Sequence, residues 1–181
     1  LKKIVYDYGL LVGLGAFIIA LDQWTKWLVR TYIAIGDVWA PAHWILPYAR
    51  IVHWKNTGAA FGIFQGYGLV FTILAVVVSV AIFYYFPRVP RTEWYLRLAM
   101  GLQLGGALGN LVDRLVRGEV TDFISVGNFA VFNVADSSIT VGVVILLAGV
   151  FYNDLIVRKK AGLPAGAEPA ASQPEQHPEN Q

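Results

Sequence analysis

The chain has 181 residues, 56% hydrophobic and 14% charged, with a formal net charge of +2 and no cysteine. A soluble domain ordinarily carries about 25% charged residues, so the composition speaks against a disordered polymer, and the missing cysteines exclude a disulfide-built module, a zinc ribbon and a thiol nucleophile. The length is that of one domain, and the open question is whether its apolar residues fill one core or face a bilayer.

Charge spacing answers it. No charged residue occurs from Tyr8 to Ala20, Phe61 to Phe86, Leu98 to Val112 or Ser137 to Asn153. Extended by amphipathic flanks, each stretch approaches the ~20 residues that a helix needs to cross hydrocarbon. The predicted fold is therefore an α-helical integral membrane protein with four transmembrane helices, near residues 8–29, 67–86, 95–114 and 137–157. The first, preceded by Lys2 and Lys3, also has the outline of a signal peptide. It contains no convincing small-x-small cleavage site and runs on into Asp22 and Lys26, so an uncleaved helix is expected.

Between the first two helices, residues 30–66 are too long for a simple connector, and "ARIVHWKN" alternates β-branched and aromatic residues with polar ones, as a strand at the membrane surface does. Residues 115–136, between the third and fourth, contain "GEVTDFISVGNFAVFNVAD" and predict a second part of a small extracytoplasmic β element. Residues 1–160 thus form one membrane unit. The segment 161–181 has one Leu and no other large apolar residue, and is expected to be a disordered cytoplasmic tail.

Orientation follows from Lys and Arg. The N-terminus, the loop 87–93 and the segment after Asp154 hold Lys2, Lys3, Arg88, Arg91, Arg158, Lys159 and Lys160, which by the positive-inside tendency makes both termini cytoplasmic. Trp24, Trp27, Trp39, Trp44 and Trp54 then fall at the outer interface, where an aromatic belt belongs. The positive charge is a topology signal, and no nucleic-acid partner is inferred from it.

Ionisable groups at membrane depth cost roughly 2.5–3.5 kcal/mol each on insertion scales, yet this topology gathers several at the outer helix ends. Asp22 and Lys26 end the first helix, Asn56 leads to the second, Asn110, Asp113 and Arg114 end the third, and Asn133 and Asp136 open the fourth. Asp122 lies in the outer segment between the last two. Taken singly, Asp22 and Lys26 read as an i, i+4 pair, Asp136 as an N-cap, Asp113 and Arg114 as an interfacial ion pair, and Asp122 as a solvated loop acid. Together they make a single polar site. Two carboxylates brought close cannot both ionise cheaply, and a dyad sharing one proton can activate water against an amide and protonate the leaving nitrogen.

Other chemistries rank lower. His43, His53 and His177 are scattered and no HExxH occurs, which speaks against a zinc peptidase and leaves no metal site expected. Ser137 or Ser138 with His43 or His53 lacks a nucleophile elbow. "GLQLGGALGN" is spaced for helix packing and is followed by no Walker lysine. An ion or proton transporter would need acids deep in the second or fourth helix, and a structural subunit would use the polar cluster only for docking.

The blocks "DQWTK" (22–26), "NTGAAF" (56–61), "GNLVDR" (109–114), "VTDFI" (120–124) and "FNVADSSI" (132–139) resemble, in order and spacing, the motifs of the bacterial lipoprotein signal peptidases, or signal peptidase II. The likeness covers about residues 8–157. It implies a membrane aspartic endopeptidase of the bacterial cytoplasmic (inner) membrane with an outer β cradle, which removes the signal peptide of lipid-modified prolipoproteins before the diacylglyceryl cysteine, without a cofactor. It implies Asp122 and Asp136 as catalytic acids, with Asp22, Lys26, Asn56, Asn110, Asp113, Arg114 and Asn133 in support. Inhibition by globomycin-type compounds is also implied. Within this reading Asn133 and Asn110 position the dyad, Arg114 pairs with Asp113, and the small residues of "NTGAAFG" allow close approach to the backbone.

Overall fold

A computed structural model of the chain describes residues 2–58 and 65–161. Four helices, α1 (Lys2–Tyr32), α2 (Gly68–Tyr85), α3 (Trp94–Arg117) and α4 (Val134–Ala161), carry a three-stranded antiparallel sheet of β1 (Val38–Trp39), β2 (Ala49–Asn56) and β3 (Val120–Val126). The strand expected from "ARIVHWKN" is β2, and β3 falls inside the second β-rich segment. Residues 59–64, which include the last four of "NTGAAFG", and the tail after residue 161 lie outside the described residues.

Three helical stretches, Tyr8–Tyr32, Gly68–Arg88 and Val134–Ile156, are long and apolar enough to cross a membrane. The expected third span does not meet the same standard. Helix α3 packs against α1, α2 and α4, so much of it faces protein, and it buries Arg97, Asn110 and Asp113 beside glycine and alanine. By contrast α2 buries only Ala75, Ser79 and Ile82, one stripe toward α3, and leaves Leu69, Val70, Ile73, Val77 and Val80 exposed. Exposed apolar surface on that scale is what a lipid-facing helix presents.

Glycine sets how near the helices come. A Cβ on Gly101 or Gly105 would lie 2.7 Å from Leu14 and 2.6 Å from Ile18, side chains of α1, and one on Gly106 would lie 2.4 Å from the Ala135 carbonyl oxygen of α4. At i, i+4 and i+8, Gly101, Gly105 and Gly109 form the α1-facing stripe of α3, while Gly106 faces α4. Close packing of this kind supplies dispersion contacts where hydrocarbon offers no hydrophobic drive.

The sheet is reached through helix ends. Gly118, at φ 77°, closes α3 with its N–H on the Arg114 carbonyl at 3.0 Å, and β3 starts two residues later. Strand β3 pairs with β2 in a register that includes Trp54 with Asp122 and Asn56 with Val120, with an irregularity between Ile51 and Trp54. The chain then returns along β3, where Phe132 and Ile124 exchange backbone hydrogen bonds of 3.0 and 2.8 Å, and enters α4. That return sets the first turn of α4 beside Asp122.

The glycine packing makes a prediction. Gly106→Ala should lower the melting temperature in detergent, by the equivalent of about 1–3 kcal/mol for overpacking against a backbone atom. Gly13→Ala, where a Cβ meets nothing within 4 Å, should leave the melt unchanged or raise it.

Candidate active site

At the sheet end of the helices, Asp22, Lys26 and Asp113 are fully buried, and Asp122 and Asn133 are at most 1% exposed. The Lys26 ammonium lies 2.8 Å from Asp22 Oδ2 and 3.1 Å from Asp113 Oδ2, and donates to Asn110 Oδ1 at 2.8 Å. Asp22 and Lys26 are a helix-face pair, as their spacing suggests, but one tied into α3 and α4: Asp22 Oδ1 accepts the Ala135 N–H at 3.0 Å, at the start of α4 where a negative charge is favoured. Asp113 Oδ2 accepts the Thr121 N–H at 3.1 Å, which joins α3 to β3.

The expected Asp113–Arg114 ion pair is not what the structure has. Adjacent residues on a helix do not face each other, and Asp113 turns to Lys26 and, at 3.5 Å, to Arg30. Arg114 points the other way, over the Phe71 ring at 5.5 Å and into the wall of a cavity that it shares with Asp122 and Asp136. Arg30 escaped the sequence reading, as did Thr121, whose hydroxyl accepts from Arg30 at 3.1 Å. The spacing of Asp22, Lys26 and Arg30, four and four, held the signal for Arg30; for Thr121 the signal was its place beside Asp122 in the "VTDFI" block.

Asparagine amides organise the remaining acids. Asp122 accepts from Asn56 Nδ2 at 2.8 Å on one oxygen and from Asn133 Nδ2 at 2.7 Å on the other. Asn56 is itself set by the Gly58 N–H on its Oδ1 at 2.9 Å. Asp136 Oδ1 accepts from Asn110 Nδ2 at 2.7 Å. Because Asn110 Oδ1 receives both Lys26 and, at 3.0 Å, Asn133 Nδ2, only its amide nitrogen is left to face Asp136. Asp136 is not the N-cap of α4: Asn133 is. Its Oδ1 accepts the Asp136 N–H at 2.9 Å, and Asp136 Oδ2 accepts the Asn133 N–H at 3.2 Å, a reciprocal capping box. Asn133 thus bonds Asp122 and caps the helix that carries Asp136.

The two acids lie at one end of a cavity of about 690 Å³ between α2, α3 and α4, otherwise walled largely by apolar side chains such as Phe71, Leu74, Val78 and Ile139. Burial, and next the charge of Asp136, push the Asp122 carboxyl up from 3.8 to about 7, against the hydrogen bonds from Asn56 and Asn133. Near neutrality the Asp122 carboxyl therefore keeps a proton to an extent that an ordinary aspartate does not.

The competing nucleophiles are occupied. Ser137 and Ser138 donate to the Asn133 and Ala135 carbonyls at 2.9 and 2.8 Å, and His53 Nδ1 meets the Ile33 carbonyl at 2.8 Å. Among the described residues, no group of three or more His, Cys, Asp or Glu is arranged to hold a metal ion.

A family model described as Signal peptidase (SPase) II matches residues 14–152. The chain belongs to the signal peptidase II family. A lipoprotein signal peptidase of Geobacillus thermodenitrificans (strain NG80-2) is 43% identical to it over 143 residues, 77% of this chain and 88% of the relative. One from Staphylococcus aureus (strain JH9) is 34% identical over 147 residues, 78% and 88% of the two chains. A bacterial membrane enzyme solved by the in meso method at 2.3 Å resolution superposes with a TM-score of 0.73 at 30% identity, covering 88% of this chain and 95% of that one. In this signal peptidase II chain the matched region contains every residue of the buried cluster.

The cluster predicts a large effect at Lys26. Lys26→Met leaves two buried carboxylates without their shared cation and should cost about 3–5 kcal/mol, seen as a sharply lower melting temperature in detergent. Adding Asp22→Asn and Asp113→Asn to that variant should recover part of the loss.

Proposed function

We propose that this chain is an aspartic endopeptidase that removes the signal peptide from lipid-modified prolipoproteins, cutting before the diacylglyceryl cysteine. The observation that carries the reading is the meeting of Asp122 and Asp136, from β3 and α4, at one end of an apolar cavity, linked through Asn133. The names of the relatives support the same substrate class.

In the proposed reaction a water lies between the carboxylates. The ionised one takes a proton from it as the water oxygen bonds to the scissile carbonyl carbon. The protonated one then gives its proton to the amide nitrogen as the C–N bond breaks. Asn56, Asn110 and Asn133 hold the carboxyl groups in place, and Arg114, on the cavity wall, offers positive charge to the developing oxyanion. The apolar walls accept acyl chains and the apolar signal segment.

The protein is proposed to span the bacterial inner membrane four times with α3 as the third span, both termini cytoplasmic and the dyad toward the outer leaflet. Residues 1–160 form the peptidase unit and 161–181 a cytoplasmic extension. The exposed apolar faces of α2 and α4 and the Lys and Arg distribution support this arrangement, and globomycin-type compounds are proposed to occupy the same cavity.

Purified protein in detergent or lipid, given a lipid-modified precursor, should release the signal peptide without added metal or nucleotide. Asp122→Asn or Asp136→Asn should each lower turnover at least about a hundredfold while the melting temperature holds; near-normal turnover removes that residue from the dyad. Since the Asp122 carboxyl stands at about 7, well above an ordinary aspartate, the pair keeps its proton below that pH and loses it above. Activity should accordingly fall as pH rises past about 7, and a flat profile to pH 9 or so argues against a shared proton.

A further inference from the structure

Among the described residues, one polar side chain of the cavity lies away from the carboxylates and has an amide nitrogen outside any hydrogen-bonded network. Gln103, Ala107, Asn110 and Arg114 line the cavity from α3, at i, i+4, i+7 and i+11, a single stripe of that helix. Asn110 serves Asp136, and Gln103 lies two turns away from it, about 10 Å along the helix. The same cavity is lined by Leu74 and Val78 from α2 and by Ile139 from α4.

The amide nitrogen of Gln103 is buried and has no hydrogen-bond partner among the described residues. Other donors in this part of the cavity are in use: the Ser137 and Thr140 hydroxyls donate to the Asn133 and Asp136 carbonyls of their own helix at 2.9 Å each. An amide left unpaired in apolar surroundings opposes folding. Gln103 is also tightly accommodated, since its Cγ lies 2.9 Å from the position that a Cβ on Gly142 would take. The side chain stem is therefore held against α4, and a rotation of its terminal amide would bring the nitrogen, now buried, to the cavity. An unpaired donor on a side chain that lines a cavity of about 690 Å³ is what a site for an acceptor needs.

We propose that Gln103 is a substrate-binding residue that donates a hydrogen bond to a carbonyl oxygen of the bound precursor. This rests on the peptidase reading above. Two carbonyls of the substrate have the required chemistry: a peptide carbonyl near the C-terminal end of the signal helix, where the last turn lacks intrahelical partners, and an ester carbonyl of the diacylglyceryl group. Both enter from an apolar phase, where no water competes for the donor.

The test compares wild-type enzyme with Gln103→Met, which keeps length and apolar volume and removes the amide. The substrates are a precursor peptide with an ester-linked diacylglyceryl cysteine and the same peptide with ether-linked chains. The expected result is a KM roughly three- to tenfold higher for Gln103→Met on the ester substrate, with kcat unchanged, as loss of one neutral hydrogen bond made equally in ground and transition states requires. Its melting temperature should equal or exceed that of the wild type, because an unpaired buried donor has gone. If the KM difference vanishes on the ether substrate, the acceptor is the lipid ester; if it persists, the acceptor is a peptide carbonyl. An unchanged KM on the ester substrate overturns the proposal, as does a lower melting temperature accompanied by a fall in kcat, which marks a packing role. Failure of the wild type to cut either substrate overturns the peptidase reading itself, and this inference with it.

Discussion

A buried ammonium holds this molecule together at its functional end. Lys26 has no exposed surface and meets Asp22, Asp113 and Asn110 within 3.1 Å. In a low-dielectric setting a charge must be paired and hydrogen-bonded or it is not tolerated, so these groups must come together in one arrangement. Two of them are on α3 and one is on α1, and Asp22 reaches on to the first turn of α4 while Asp113 reaches β3. The pairing thereby specifies how two helices, a third helix's first turn and the sheet meet. A buried ion network is weak evidence of net stability; what this geometry fixes is which elements meet.

The same ammonium reaches the proposed dyad through one amide. By occupying the Asn110 oxygen, Lys26 turns the amide nitrogen toward Asp136, and Asn133 then spans from the Asn110 oxygen to Asp122. Each carboxylate is oriented by groups that are themselves oriented, which leaves few alternative rotamers. Close helix packing makes this possible. Gly109, where a Cβ would fall 2.9 Å from Asp22 Oδ2, brings the α3 backbone against the acid, so the small-residue stripe is a condition for the ion cluster as much as for helix association.

Much of the outline is legible in the chain. Charge-free stretches mark the helices, and the alternation in "ARIVHWKN" marks β2 within its observed bounds. The third span is the instructive exception, because hydropathy reports what a helix faces and α3 faces protein on several sides. The polar residues of the site are also visible as motif blocks, yet their partners are not. Asp113 and Arg114 are neighbours in sequence and diverge in space, while Asp113 and Lys26 are distant in sequence and touch. The helical angle of ~100° per residue accounts for the first; only packing of α1 on α3 accounts for the second.

By itself, then, the sequence determined that the chain is a helical membrane-type protein with polar residues gathered at one end of its helices, because hydrophobic periodicity and charge placement are local properties of the chain. The tertiary structure alone decided that Asn133 caps α4 while bonding Asp122, that Arg114 faces the cavity instead of Asp113, and that the Gln103 amide nitrogen lacks a partner among the described residues. Each depends on atoms brought together from separate elements, where hydrogen-bond geometry and desolvation act over a few ångströms and sequence distance has no bearing.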